Sequence, residues 1–254
     1  MSQLVGRGPS AVTMERVADR VWLMRGGFPP PLVHRIMNVY FIEGPDGVTV
    51  FDAGIRSMAR AIDHVGRKMG GIARVVLGHA HPDHRGAASR LAAPVWCHEH
   101  EVSYARADDG QPYTSFSKLP LVTKAGPLRL AMRVLMHHVW DGEPVQIERA
   151  LAEGDEVAGF EVVHLPGHAP GQIALWRARD RLALTTDCFY MLDALTGEPC
   201  DPVMPHDAYN LDSELARESA RKLARLAPEI CWPGHLGPAT GDVADQLRRA
   251  ADRY

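Results

Sequence analysis

The sequence of 254 residues predicts a mixed α/β fold, and three observations predict it. Short β-branched and apolar runs punctuate the first part of the chain, amphipathic helical patterns follow them, and a hairpin pattern marks the second half. Strand-like runs lie near Arg20 to Met24, Met37 to Ile42, Val48 to Phe51, Ala73 to Leu77 and Pro94 to Cys97, with more after Glu143. Ile55, Met58, Ile62, Val65 and Met69 recur at the spacing of one helical face, so Arg56 to Met69 is expected to cover a sheet. Gly70-Gly71 provides its left-handed end. Gln172 to Trp176 and Arg181 to Thr185 flank Arg177-Ala178-Arg179-Asp180 as the arms of a hairpin. Leu215, Leu223 and Leu226 with their alanines predict a second helix, N-capped by Asp212 or Ser213 and finished before Pro228. A third runs from Val243 to Arg253.

A hydrophobic content of 46% is ordinary for a globular protein, and one domain spanning residues 1–254 is the simplest organisation. Residues 98–141 carry no clear period and read as an irregular insertion. A formal charge of -3, with no basic run longer than a pair such as Arg248-Arg249, offers no field for phosphate backbones. The expected partner is a small-molecule substrate, with no nucleic acid, no membrane and a homodimer as one option for assembly. Met1 to Ser10 has no apolar stretch that reads as a signal peptide or span, so a cytoplasmic location is expected. Cys97, Cys188, Cys200 and Cys231 lack C-x-x-C spacing and read as reduced thiols.

His79-Ala80-His81-Pro82-Asp83-His84 directly follows the run Ala73 to Leu77 and places three imidazoles and a carboxylate in one turn. These are ligands that a borderline cation such as zinc takes at about 2.0–2.2 Å, and they are too many for one open site. The surplus points to two ions. Three later segments repeat a grammar of apolar run, Gly or Pro, then His or Asp: Leu165-Pro166-Gly167-His168, Leu184-Thr185-Thr186-Asp187 and Ile230-Cys231-Trp232-Pro233-Gly234-His235. Each is expected at a strand end, which brings the ligand set to His79, His81, Asp83, His84, His168, Asp187 and His235. Cys188 is expected to stay outside the set because Asp187 already supplies the acidic ligand. His98, His100, His137 and His138 read as surface or core residues. Asp52 has two readings, as a carboxylate that orients a ligand imidazole or as the cap of its own turn.

In these segments the chain resembles the dinuclear hydrolase branch of the metallo-β-lactamase superfamily. The resemblance rests on the H-x-H-x-D-H run, on Asn38-Val39-Tyr40-Phe41-Ile42-Glu43-Gly44 with Val50-Phe51-Asp52-Ala53-Gly54, and on Gly154-Asp155 leading to Pro166-Gly167-His168-Ala169-Pro170-Gly171. It implies a four-layer αββα sandwich. It also implies two divalent metal ions, zinc foremost with iron or manganese as alternatives: one on His79, His81 and His168, the other on Asp83, His84 and His235, bridged by Asp187. The activity implied is hydrolysis of a small carbonyl ester, lactone or thioester by a hydroxide formed between the metals, with Asp83, Asp187 and Tyr190 as catalytic residues. Tyr190 lies three positions after Asp187, as in N-acyl-homoserine lactonases, where such a phenol lies beside the reacting carbonyl.

Gly78, Thr186 and Arg85 depart from the commonest family pattern. His81 in place of Glu argues against the di-iron flavoproteins, and Asp187 argues against a true β-lactamase. With only a short stretch after His235, the glutathione-binding domain of a glyoxalase II is not expected. A mononuclear iron dioxygenase of the persulfide dioxygenase type, a phosphodiesterase on the same fold and a non-catalytic metal-binding protein remain alternatives. Gly26-Gly27-Phe28-Pro29-Pro30-Pro31 is a proline-fixed loop expected beside the site or as a rigid surface connection.

Overall fold

The computed structural model describes residues 2–5, 12–27, 36–107, 140–193 and 198–253. Eight strands form the first sheet in chain order: β1 (Ser2–Val5), β2 (Val12–Ala18), β3 (Val21–Gly26), β4 (Met37–Gly44), β5 (Gly47–Phe51), β6 (Ile72–Leu77), β7 (Val95–His98) and β8 (Ile147–Leu151). The pairs are antiparallel up to β4–β5 and parallel from β5 to β8. The second half of the chain adds β9 (Glu156–Val157), β10 (Phe160–His164), β11 (Ile173–Arg177), β12 (Leu182–Thr186), the separate hairpin β13 (Tyr190–Leu192) and β14 (Pro199–Val203), then β15 (Ile230–Pro233) and β16 (Ala239–Thr240). Its six-stranded sheet has the order β16-β15-β12-β11-β10-β9, in which β12 and β15 are parallel.

The layers follow from the period-2 alternation of side chains along a strand. In β4, Val39 and Phe41 pack outward with Ile62 and Val65, while Tyr40 and Ile42 face the other sheet. In β11 and β12, Ile173, Leu175, Leu182 and Leu184 meet Phe51 and Val76 between the sheets; Ala174, Trp176 and Ala183 turn outward to Leu223 and Leu247. Central strands are therefore buried on both faces, which explains their continuous apolar runs. At about 1.5–3 kcal/mol for each large aliphatic side chain removed from water, the three clusters hold helix, sheet, sheet and helix together as four layers.

Helix α1 (Ala59–Lys68) is preceded by a 3-10 turn, Arg56–Met58, so the predicted helix begins as the tighter form. Gly70 and Gly71 both take positive φ at its end, as expected. After the short helices α2 (Pro82–Arg85) and α3 (Val102–Ala105), the second long helix is α4 (Ser213–Arg225), and the Asp212 carboxylate accepts from the Leu215 N–H at its N-terminus. The last, α5 (Val243–Asp252), ends one residue before the predicted limit. Strands β1 and β2 were not expected from the sequence. Within the segment read as an irregular insertion, residues 98–107 continue β7 into a 3-10 turn and α3, while 108–139 lie outside the described residues. Among the described residues no helix is long and apolar enough to cross a membrane.

Candidate metal centre

Four chain segments leave the sandwich at one edge. β10, β12 and β15 run in the same direction, and their C-terminal ends deliver His168, Asp187 and His235. From the other sheet, β6 ends at Leu77 and the chain turns outward through Gly78 and His79. His81 has an extended backbone at the N-cap of α2, with Pro82 at the first helical position where its missing N–H costs nothing. One turn of helix then brings Asp83 and His84 to the same edge. Strand β4 closes the seam: the Asn38 side-chain amide donates to Pro233 O (2.8 Å) and Leu236 O (2.6 Å), and the Tyr40 hydroxyl donates to Pro233 O (2.5 Å).

All seven predicted residues come together. Three overlapping groups have ligand atoms within 4.8 Å of one another: His79, His81 and His168; His79, His84 and Asp187; Asp83, His84 and His235. Asp187 Oδ2 is the common centre, 3.3 Å from His84 Nε2, 3.5 Å from His235 Nε2 and 3.6 Å from His168 Nε2. His168 Nε2 and His81 Nδ1 face each other at 3.0 Å, and His235 Nε2 lies 3.3 Å from Asp83 Oδ2. The group is buried except for Asp83, which is partly exposed.

A second ring of side chains fixes the imidazoles. Asp52 takes the first of its two readings: Oδ2 lies 2.8 Å from His84 Nδ1, while Oδ1 accepts from the Gly78 N–H at 2.7 Å and so ties to the turn that leads into His79 rather than to its own. Asn210 Oδ1 lies 3.0 Å from His168 Nδ1. Thr186 Oγ1 stands 3.2 Å from Nδ1 of both His79 and His84. Glu101, wholly buried, accepts from the Ala80 N–H and the Gly171 N–H at 2.8 Å each, so one carboxylate ties the His79–His81 turn to the loop carrying His168. Thr186 (φ 43°) and Asp52 (φ 59°) both sit in left-handed backbone, which costs a non-glycine residue on the order of 1–3 kcal/mol.

Charge divides the group. Burial lowers His79, His81 and His168, with neighbouring imidazoles reinforcing it at His79 and His81, so that His81 falls to about 3. Burial opposes charge at His84 and His235 too, but Asp187, Asp52 and Asp83 raise the former, and Asp187 and Asp83 lift the latter to about 9. Against their own burial, Asp83 is drawn down to about 2 by His84 and His235, and Asp187 well below the carboxylate range by the same pair.

The residues fit divalent ions. His79 Nε2, His84 Nε2 and Asp187 Oδ1 are buried and carry no hydrogen bond within the protein. Gly234 keeps the space beside them clear, since a Cβ there would lie 2.4 Å from Asp187 Oδ1 and 2.6 Å from His84 Cε1. Among the other residues singled out, the Tyr190 hydroxyl donates to Asp187 Oδ2 at 3.2 Å, and burial next to the Asp187 charge keeps the phenol protonated. Cys188 packs in the outer core with its thiol pushed up to about 12 by burial. His98 stacks on His164 with ring centroids 4.0 Å apart and joins none of the three groups. His137, His138 and Phe28 to Pro31 lie outside the described residues. Sequence reasoning missed the supporting roles of Tyr40, Glu101 and Asn210, whose only signal is a contact distant in sequence.

The model of the Metallo-beta-lactamase superfamily matches residues 34–235, an interval that contains every one of the seven. The chain belongs to that superfamily. Probable metallo-hydrolase YflN of Bacillus subtilis (strain 168) is 31% identical to this superfamily member over 244 residues, covering 87% of this chain and 89% of its own. Probable metallo-hydrolase YqjP of the same organism is 25% identical over 231 residues, 84% of this chain and 70% of its own. The fold is that of a metallo-beta-lactamase family protein, TTHA1429 from Thermus thermophilus (TM-score 0.64, 22% identity, 93% of this chain and 79% of that one). TTHA1623, solved in a di-iron-bound form, matches with TM-score 0.59 and 23% identity over 89% of this chain and 96% of that one. The superfamily and its probable metallo-hydrolases support a metal-dependent hydrolase, and the His/Asp cluster of this chain is able to hold metal.

Proposed function

We propose that this chain is a dinuclear metal-dependent hydrolase of a small carbonyl ester, lactone or thioester. The observation that carries the reading is the convergence of seven His and Asp side chains into overlapping groups that share His79 and His84. His79, His81 and His168 would hold one divalent ion, Asp83, His84 and His235 the second, and Asp187 both, with zinc as the first candidate and iron or manganese as alternatives. Bound there, such ions would supply a lowered pKa for water and polarisation of an acyl oxygen. Asp83 and Asp187 are ionised at neutral pH, and Asp83, partly open to solvent, would orient a water by accepting its hydrogen bond.

Tyr190 is the donor for the developing oxyanion, because its phenol stays protonated and already reaches the group at Asp187. A small cleft of ≈ 200 Å³, lined by Tyr190, Leu192, Met204, His206, Asn210 and Arg217, opens beside Tyr190 and offers a mixed polar and apolar lining to a small substrate. The four free thiols are in keeping with a reducing cytoplasm. A mononuclear iron dioxygenase would leave Asp83, His84 and His235 without an ion. Metal analysis together with turnover of matched ester, lactone, thioester and phosphodiester substrates tests the proposal: close to two equivalents per chain and carbonyl hydrolysis are expected, and one equivalent or activity confined to phosphodiesters defeats it.

A further inference from the structure

The turn into the centre carries a glycine, Gly78, pressed against a β-branched residue in left-handed backbone, Thr186, that directly precedes Asp187. A Cβ on Gly78 would stand 2.7 Å from Thr186 Cβ and 2.9 Å from both Cγ2 and Oγ1, so the two positions share the room for one side chain. Threonine is an unfavourable choice at φ 43°, where glycine would sit without strain. Its presence there needs a use for the side chain, and among the described residues Oγ1 meets Nδ1 of His79 and Nδ1 of His84, each at 3.2 Å.

We propose that Thr186 is a positioning residue for both halves of the centre, and that Gly78 is glycine to make room for it. The inference rests on the reading of His79 and His84 as metal ligands. If each ring offers Nε2 to an ion, Nδ1 carries the proton, and the two lone pairs of one hydroxyl accept from both. The Asp52 carboxylate takes a second share of the His84 proton, whereas at His79 the Thr186 hydroxyl is the group that meets Nδ1. The hydroxyl thus sets the angle between rings whose centroids are 4.2 Å apart and that belong to different ions.

Cobalt(II) titration of the metal-free full chain against a competing chelator, read by its d–d spectrum, tests this. Thr186→Val removes the hydroxyl and keeps the branched shape, so affinity should fall about 10- to 100-fold with an altered spectrum. Thr186→Ser should keep wild-type affinity. Thr186→Gly relieves the strained backbone, so the metal-free protein should melt no lower than wild type while affinity falls as for the valine variant. Gly78→Ala should lower affinity in the wild type and change nothing in the Thr186→Gly background, a non-additivity that independent sites do not produce. Wild-type affinity and spectrum in Thr186→Val or Thr186→Gly would overturn the proposal. A wild-type protein that takes up no cobalt would instead overturn the dinuclear reading beneath it.

Discussion

The two halves of the candidate centre are assembled on different electrostatic plans. His79, His81 and His168 are kept neutral by burial and backed by uncharged or remote groups: the Thr186 hydroxyl, the Asn210 amide, and Glu101 acting through backbone N–H groups. Asp83, His84 and His235 are backed by carboxylates, which hold their imidazoles in the protonated form when no ion competes. A neutral tripod leaves the charge on an ion uncompensated, and a carboxylate-rich one offsets it. Asp187 is the point where the two plans meet.

Removing that meeting point has the largest expected effect. Asp187→Ala should lose both ions and all hydrolysis, exceeding the about 100-fold loss typical of an outer partner, because two cations would then face each other without the shared carboxylate. Elemental analysis beside turnover checks it, and a variant that keeps two tightly held ions would mean Asp187 is no bridge. The next effect separates the halves. Asp52→Asn should weaken the ion on His84 about 10- to 100-fold and Asn210→Ala the ion on His168 by a similar factor, each sparing the other half. Stepwise titration of metal into each variant would reveal equal weakening of both steps if the distinction between halves were false.

Most of this division is invisible in the sequence, although the ligands themselves are not. His79 to His84 is a local motif, and His168, Asp187 and His235 each follow a short strand pattern. Strand ends at one edge of a sandwich were therefore a sufficient rule for finding them. Glu101, Tyr40 and Asn210 lie in no such grammar; each acts across a long sequence gap, and hydrogen bonds of that kind leave no periodic trace. The fold divides the same way. The central strands announced themselves by doubly buried apolar runs, but Val12–Ala18, second from the edge of its sheet, has Glu15 and Arg16 in its middle, and its composition reads as neither strand nor helix. Thr186 and Gly78 were visible only as oddities until the shared space between them was seen.

Two smaller effects sharpen the comparison. Tyr190→Phe should lower kcat for lactones or esters about tenfold, or roughly 1–2 kcal/mol, and leave metal content intact, because a polarising ion shares the oxyanion. Unchanged turnover would remove Tyr190 from the reaction. Glu101 gives a pH signature on the neutral half. Burial lifts its carboxyl from 4.5 to about 7 against the pull of the Gly171 and Ala80 N–H groups. Between those values the folded chain holds a proton that the unfolded chain has released, so this group makes stability fall as pH rises from about 4.5 to about 7. Comparing chemical denaturation of wild type and Glu101→Gln across that range should show the slope flattened in the variant; parallel curves would place the group's titration elsewhere.

His79, His81, Asp83 and His84 hang from one sheet, and His168, Asp187 and His235 from the other, with Asn38 and Tyr40 stitching across the same edge. Any ion held there is a clasp on a seam. Its loading then works as a dose-dependent fastener for the whole sandwich: above the dissociation constant, each tenfold rise in free ion adds ~1.4 kcal/mol per site to the resistance of the two sheets to parting. A cell that starves the protein of metal would slacken its architecture in the same act that silences its chemistry.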